Sequence, residues 1–311
     1  MSSSENSENK LVEWFAAQSR LDGEKFPIGI GDDMAQINLG AGKSVLITTD
    51  MLLDGSHFDL ATAGIEAVGY KAMATSISDC AAMATVPIAA VVSVGLCKGM
   101  GGDDLKLLHK GIIRAGKMFG CELVGGDMTS WKESFVISVT MLSTPGPTEP
   151  LKRSGAKCGD VICVTGSLGG SLVGRHLEFV PRVNEALAIA RAGGTAMTDI
   201  SDGLSTDLNH VCQMSGAGAI IESEKLPLSE VAKNASDPIK SALSDGEDFE
   251  LLFTMASDNF EKLLAVWDMP TAITAIGSIN NTGDVCIKGA DGKTEKLLPA
   301  GYDHLLDKQN E

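Results

Sequence analysis

The chain has 311 residues and a formal charge of −16, with 41 acidic against 25 basic side chains. That balance sets aside nucleic acid and anionic membrane surfaces as main partners, since both are polyanions. A chain of this length exceeds one typical core and predicts two domains. No apolar run approaches a membrane span and no basic-then-apolar leader opens the chain. The seven cysteines (80, 97, 121, 158, 163, 212 and 286) form no CxxC pair, so the expectation is free thiols in the cytoplasm.

In chain order, "MSSSENSENK" predicts a short disordered tail. "SVLITTD" (44–50) predicts a strand, and "IEAVGYKAMATSISDCAAM" (65–83) a helix with Ala72, Ser76, Asp79 and Met83 on one face. "IAAVVSVGL" (88–96) predicts a second strand. "DDLKLLHKGIIRAGKMFG" (103–120) predicts a helix, acidic at its start and closed by Gly120. "SFVISVTML" (134–142) predicts a third strand. The Pro- and Gly-rich seam at 142–160 sets a boundary near residue 150, giving domains 1–150 and 151–311. Beyond it, "DVICVTG" predicts a strand running into the turn "SLGGS". A helix beginning near Ser201 or Asp202 and a strand "EDFELLFTM" (247–255) follow. Strands and helices mix in both halves, so the class is α+β, two mixed α/β domains.

The carboxylates recur beside glycines or at the ends of apolar stretches: Asp32 and Asp33, Asp50 and Asp54, Asp79, Asp127, Asp199 and Asp202, Glu247 and Asp248. Each has an ordinary explanation as a turn or a cap, with Asp202 a natural N-cap and Asp32-Asp33 a surface turn. Asp79 resists it. It lies mid-helix on a face of small side chains with no nearby base, and an unpaired buried carboxylate costs several kcal/mol. Hard oxygen donors of this kind suit Mg²⁺, and Thr48 and Thr49 beside Asp50 add hydroxyls or carbonyls.

For a phosphate, "VTGSLGGS" and "LVGGD" offer backbone amides, and Arg153 and Arg182 are the candidate cations. The "GKS" at 42–44 fails as a P-loop, because the earlier glycine falls at Ile37. No GxGxxG opens a helix and no G-x-S-x-G elbow exists. Of the five histidines only His57 sits among the acids.

Taken together and in order, "GIGDDMA", "TTDMLLDGSHF", "KAMATSISDCAAMATVP", "LVGGDMT", "KRSGAKCGDVICVTGSLG", "DISDGLSTDL", "SDGEDFELLFT" and "GYDHL" resemble the thiamine-monophosphate kinase family of the aminoimidazole-ribonucleotide synthetase-like superfamily. The resemblance spans residues 29–305. It implies ATP-dependent phosphorylation of thiamine phosphate to thiamine diphosphate by direct transfer, with several Mg²⁺ ions, in a homodimer that pairs N-terminal sheets. It implies metal ligands at Asp33, Thr48, Thr49, Asp50, Asp79, Asp127, Asp199 and Asp202. ATP contacts fall on Gly126, Asp127, Arg153 and Ser201, and substrate contacts on His57 and Glu247. No general base is expected. Pro299 and Ala300 stand where the family has an aromatic residue, and Phe249 and Tyr302 are the candidate replacements. Two alternatives stay open: another ATP-using ligase or cyclase of the superfamily, and a non-catalytic nucleotide or metal sensor.

Overall fold

The computed structural model describes residues 8–19 and 21–302. Most of the expected disordered tail lies outside the described residues, and its last three residues open the first helix. That helix, α1 (Glu8–Gln18), precedes β1 (Ala35–Gly40), β2 (Lys43–Leu53), the single turn α2 (Leu60–Ala63) and α3 (Ile65–Ala82). Then come β3 (Thr85–Leu96), α4 (Gly102–Met118), β4 (Glu122–Ser130) and β5 (Val136–Pro145). The second half holds β6 (Val161–Thr165), α5 (Val183–Arg191), β7 (Gly194–Asp199), α6 (Leu204–Ser215) and β8 (Gly218–Glu222). It ends with α7 (Glu230–Lys233), α8 (Pro238–Ser244), β9 (Leu251–Met255), α9 (Ser257–Val266), β10 (Ile273–Asn280), β11 (Val285–Lys288) and β12 (Thr294–Lys296).

Two sheets result, a five-stranded one in the order β1-β2-β5-β3-β4 and a seven-stranded one in the order β12-β11-β8-β10-β6-β9-β7. The first is antiparallel except for β3 and β4, which run parallel because α4 carries the chain across between them. The mixed α+β expectation is met.

The helix α3 lies between the two sheets and is buried over most of its length. Its small residues permit that. A Cβ on Gly69 would lie 2.3 Å from the Leu108 carbonyl oxygen, and one on Gly111 would lie 1.9 Å from that of Glu66, so α3 and α4 touch backbone to backbone. With α3 seated so tightly, its polar side chains have fixed addresses: Ser76 on β2, Ser78 on the end of β7.

Two boundaries beside the acidic residues differ from expectation, each for a local reason. The N-cap of α6 is Gly203, at φ 110, so Asp202 is not the cap. The strand β9 begins only at Leu251 because Glu247 and Phe249 take positive φ values of 52 and 49, which no extended strand tolerates. That irregular turn aims Glu247 and Asp248 at different partners.

Candidate active site

β1 pairs with β2 only as far as Ile47, so from Thr48 onward no described strand covers that edge of β2. Side chains alternate here. Thr48 and Asp50 face α3, where the Thr48 hydroxyl donates to Asp79 at 2.5 Å and the Ser76 hydroxyl donates to Asp50. Asp199, at the end of β7, accepts from the Ser78 hydroxyl at 2.5 Å. Asp33 completes the group. Carboxylate oxygens of Asp33, Asp79 and Asp199 lie within 4.8 Å of one another.

Among the described residues, Asp33 alone of this group has an ion-pair partner, the Arg153 guanidinium at 2.7 Å. Arg153 also donates to Thr198 and the Gly31 carbonyl, while its amide donates to Asp32 at 2.8 Å. Asp32-Asp33 is therefore a clamp on Arg153 and not a surface turn. Burial and the negative charge of Asp33 hold Asp50 up at about 6 and Asp199 at about 7. Asp79 is pushed well above the usual carboxylate range by burial first, then by Asp50, Asp199 and Asp33. A divalent cation bound among these carboxylates would favour their ionised forms and reverse the rise.

Beside it opens a cleft of about 760 Å³. Asp50, Ser201 and Asp202 line it along with His57, Glu247, Phe249 and Tyr302. The His57 ring accepts from the Leu53 amide at Nδ1, 3.0 Å away, so the neutral ring carries its proton on Nε2. Phe249 stacks on Phe179, with centroids 4.1 Å apart. Leu172 and Val173 stand at the rim with much of their surface exposed.

Four expectations need correction or narrowing. The Thr49 side chain faces the opposite side of the sheet, its hydroxyl 3.1 Å from that of Thr140, because it lies one residue out of phase with Thr48 and Asp50. Asp127 shares a row with Ser93, Ser138 and Met51, on the face of the sheet away from Asp50, and β4 is the edge strand. So within one chain Asp127 does not join the other carboxylates. Gly126 lies directly against β3, where a Cβ would stand 2.0 Å from the Val92 carbonyl oxygen. Arg182 is not available to a phosphate: it grips Glu250 through two bonds of 2.7 Å. Finally, the "SLGGS" turn does cradle an anion, but the anion is the protein's own. The Gly169 amide donates to both Asp248 oxygens, Ser171 donates to one of them, and the Gly170 amide donates to Asp245.

Sequence reasoning missed Lys71 and His176, which sit with Glu247 at the cleft wall. The only signal for Lys71 was a charged residue inside an otherwise apolar helix, eight positions before Asp79. Asp207 is structural: it is buried and accepts from the Gly203 amide at 3.1 Å.

The two sheets and the carboxylate-lined cleft define a protein of the AIR synthase related class. Residues 31–144 match the N-terminal domain of that family and residues 157–288 its C-terminal domain. The thiamine-monophosphate kinase of Rhodopirellula baltica is 36% identical over 292 residues, covering 89% of this chain and 91% of its own length. That of Bacillus subtilis is 30% identical over 305 residues, covering 89% and 93%. A solved structure described as AaThiL complexed with AMPPCP and TMP superposes with a TM-score of 0.82 at 32% identity, covering 98% of this chain and 99% of that one. The chain belongs to the thiamine-monophosphate kinase family.

Proposed function

We infer that the protein transfers the γ-phosphoryl group of ATP to the phosphate of thiamine phosphate, yielding thiamine diphosphate and ADP. A bond forms between an acceptor phosphate oxygen and the γ-phosphorus, and the bond from that phosphorus to the β,γ-bridging oxygen breaks. One observation carries the reading: a single cleft runs from Asp50 and Asp202 to His57 and Glu247, with Asp33, Asp79 and Asp199 behind Asp50. The acceptor phosphate has a second pKa of about 6 and is largely dianionic at neutral pH, so the transfer needs no base.

Three mutually close carboxylates, with a guanidinium on Asp33 alone and oxygen donors throughout, fit a hard divalent cation. Asp33, Asp50, Asp79, Asp199 and Asp202 would hold Mg²⁺, with Thr48 and the Thr49 backbone adding neutral oxygens. Mg²⁺ bound there supplies the positive charge that draws two polyanions together in line. Arg153, fixed from three sides, orients Asp33 and offers charge to the nucleotide. Ser201 contributes to the nucleotide end, and its carbonyl fixes the Glu247 amide at 2.7 Å. Glu247 presents its carboxylate to the thiazolium cation, while His57 and Tyr302 line the same pocket.

We place the two functional halves at 1–150 and 151–311, and the working assembly is a homodimer. Its support is the outer face of the first sheet, where Met51, Val91, Ser93 and Asp127 are exposed. Pairing two such faces buries apolar surface and carries Asp127 and Gly126 of each copy toward the nucleotide end of its partner's cleft. The compartment is the cytoplasm, supported by seven unpaired cysteines.

The test is incubation with ATP, Mg²⁺ and thiamine phosphate, following thiamine diphosphate by chromatography. Product that vanishes on chelating Mg²⁺ is expected; ATP binding with no product would replace this reading by that of a sensor. Mixing inactive Asp79→Asn and Asp127→Asn proteins should restore about a quarter of wild-type activity, since random pairing rebuilds one site in half of the dimers. No recovery after subunit exchange removes Asp127 from the partner's cleft.

A further inference from the structure

One buried charge on α3 takes no part in the transfer as derived. Lys71 is fully enclosed, with no exposed side-chain surface, and lies two turns before Asp79 on the same helix. An ammonium taken out of water is strongly unfavourable unless its protons are all engaged. Those of Lys71 are engaged. Its Nζ donates to both oxygens of Glu247, at 2.8 and 2.7 Å, and to the His57 carbonyl, and lies 2.8 Å from His176 Nδ1. His176 Nδ1 in turn lies 2.8 Å from a Glu247 oxygen.

These contacts exclude Lys71 as a phosphate anchor, because its protons point at protein atoms and not into the cleft. What they do is join two walls. His57 follows β2 in the first half of the chain, and Glu247 lies on the positive-φ turn before β9 in the second, and both line the cleft. The Glu247 side chain keeps 19% of its surface exposed and lines the cleft while Lys71 holds both carboxylate oxygens. Without Lys71, a carboxylate so enclosed relaxes away or takes up a proton, and a cationic ring then meets no fixed anion.

Resting on the proposed acceptor, we propose that Lys71 is the positioning residue of the acceptor pocket: it holds the Glu247 carboxylate and the His57 carbonyl at one atom, so that the cationic ring of the substrate meets an ordered, ionised Glu247. Lys71 acts through Glu247 and touches neither phosphate.

The experiment is a double-mutant cycle on the full chain with Lys71→Met, Glu247→Gln and the double variant. It measures KM for thiamine phosphate, KM for ATP, and thermal melting. Lys71→Met is expected to raise the acceptor KM at least about tenfold and to leave the ATP KM within about twofold. The double variant should match Glu247→Gln in acceptor KM within about twofold, because Lys71 has nothing left to position. Both Michaelis constants moving together, neither moving, or an additive cycle overturns the inference. Should Lys71→Met be too unstable to assay, the double variant leaves no charge unpaired and is compared with Glu247→Gln directly. Equality supports the inference and a further loss overturns it. Wild-type protein that makes no thiamine diphosphate overturns the acceptor reading and this inference with it. Wild-type turnover alongside an unchanged Lys71→Met overturns this inference alone.

Discussion

Two sets of enclosed carboxylates lie close together in this molecule, Glu250 bonding the backbone next to Asp199. Asp248 and Glu250 are each 2% exposed. Arg175 pairs with Asp248 at 2.5 Å, Arg182 grips Glu250, and the Gly169 amide, Ser171 and Thr165 take up the remaining oxygens. Burial, helped by the charge of Glu250, lifts Asp248 to about 6, and Ser171, the Gly169 amide and Arg175 work against that rise. The second set is Asp50, Asp79 and Asp199. Hydroxyls are its main hydrogen-bond donors, and around Asp79 the neighbouring carboxylates add to burial instead of opposing it. The first set is a completed internal lock for the turn before β9. The second is an anion cluster whose counter-charge must come from a ligand. Burial of an acid therefore does not mark a site; the identity of its neighbours does.

The largest effect that separates the sets is on stability. Glu250→Gln leaves the Arg182 guanidinium without its charge partner and should lower unfolding free energy by about 3 kcal/mol. Both Michaelis constants should stay near wild type at a temperature where the variant is folded. Denaturant unfolding checks the first statement. A stable variant with lost activity would move Glu250 into the site.

Asp79→Asn should do the reverse. Turnover should fall at least about a hundredfold, or ~2.7 kcal/mol on the barrier, with no loss of stability in metal-free protein. Asp202→Asn should follow it in turnover. Wild-type rates for both at limiting Mg²⁺ would falsify the metal cradle.

Next comes pH. Asp50 at about 6 and Asp199 at about 7 lie above the ordinary 3.8, so the folded state binds protons that the unfolded chain has already released. The contribution of these groups is thus fully present below about 4 and is lost as pH rises through about 7. In metal-free protein Asp199→Asn should gain on wild type between pH 5 and pH 8, by more than about 1 kcal/mol. Saturating Mg²⁺ should stabilise wild type more at pH 8 than at pH 5. Melting curves at both pH values, with and without Mg²⁺, decide it. A gap independent of pH would mean that these acids are ionised throughout.

Much of this was legible in the sequence, and the limits are physical. The strands around Asp50 and the helix around Asp79 are apolar and periodic, and α3 came out within a residue of expectation. Asp79 stood out because a carboxylate on a face of Ala, Ser and Met has no local remedy. What sequence could not supply was the face on which a residue lies. Thr48 and Thr49 look equivalent in a string, yet one residue of pleat sends their side chains to opposite sides of the sheet. The same alternation takes Asp127 away from Asp50. "SLGGS" was read as a cradle for a phosphate, but Asp248, 79 positions away from Gly169, fills it, and only the fold brings them together. Arg182 was misassigned for the same reason, since Glu250 lies 68 positions on.

Asp207 gives the smallest effect and the sharpest boundary. It sits five positions after Asp202 and is buried, with Asp202 and Asp199 among the charges that push its carboxyl well above the usual range. Its one oxygen in use accepts from the Gly203 amide, a task the carbonyl of asparagine performs as well. Burial already works against the charged form of this carboxyl, so its neutral isostere loses little in the same place. Asp207→Asn should therefore keep turnover within about threefold and shift stability by less than about 1 kcal/mol. A hundredfold loss of turnover, equal to that expected for Asp202→Asn, would show that the cradle extends a full turn into α6. The line between the ligand-facing acids and the structural one would then fall beyond Asp207 instead of at Gly203.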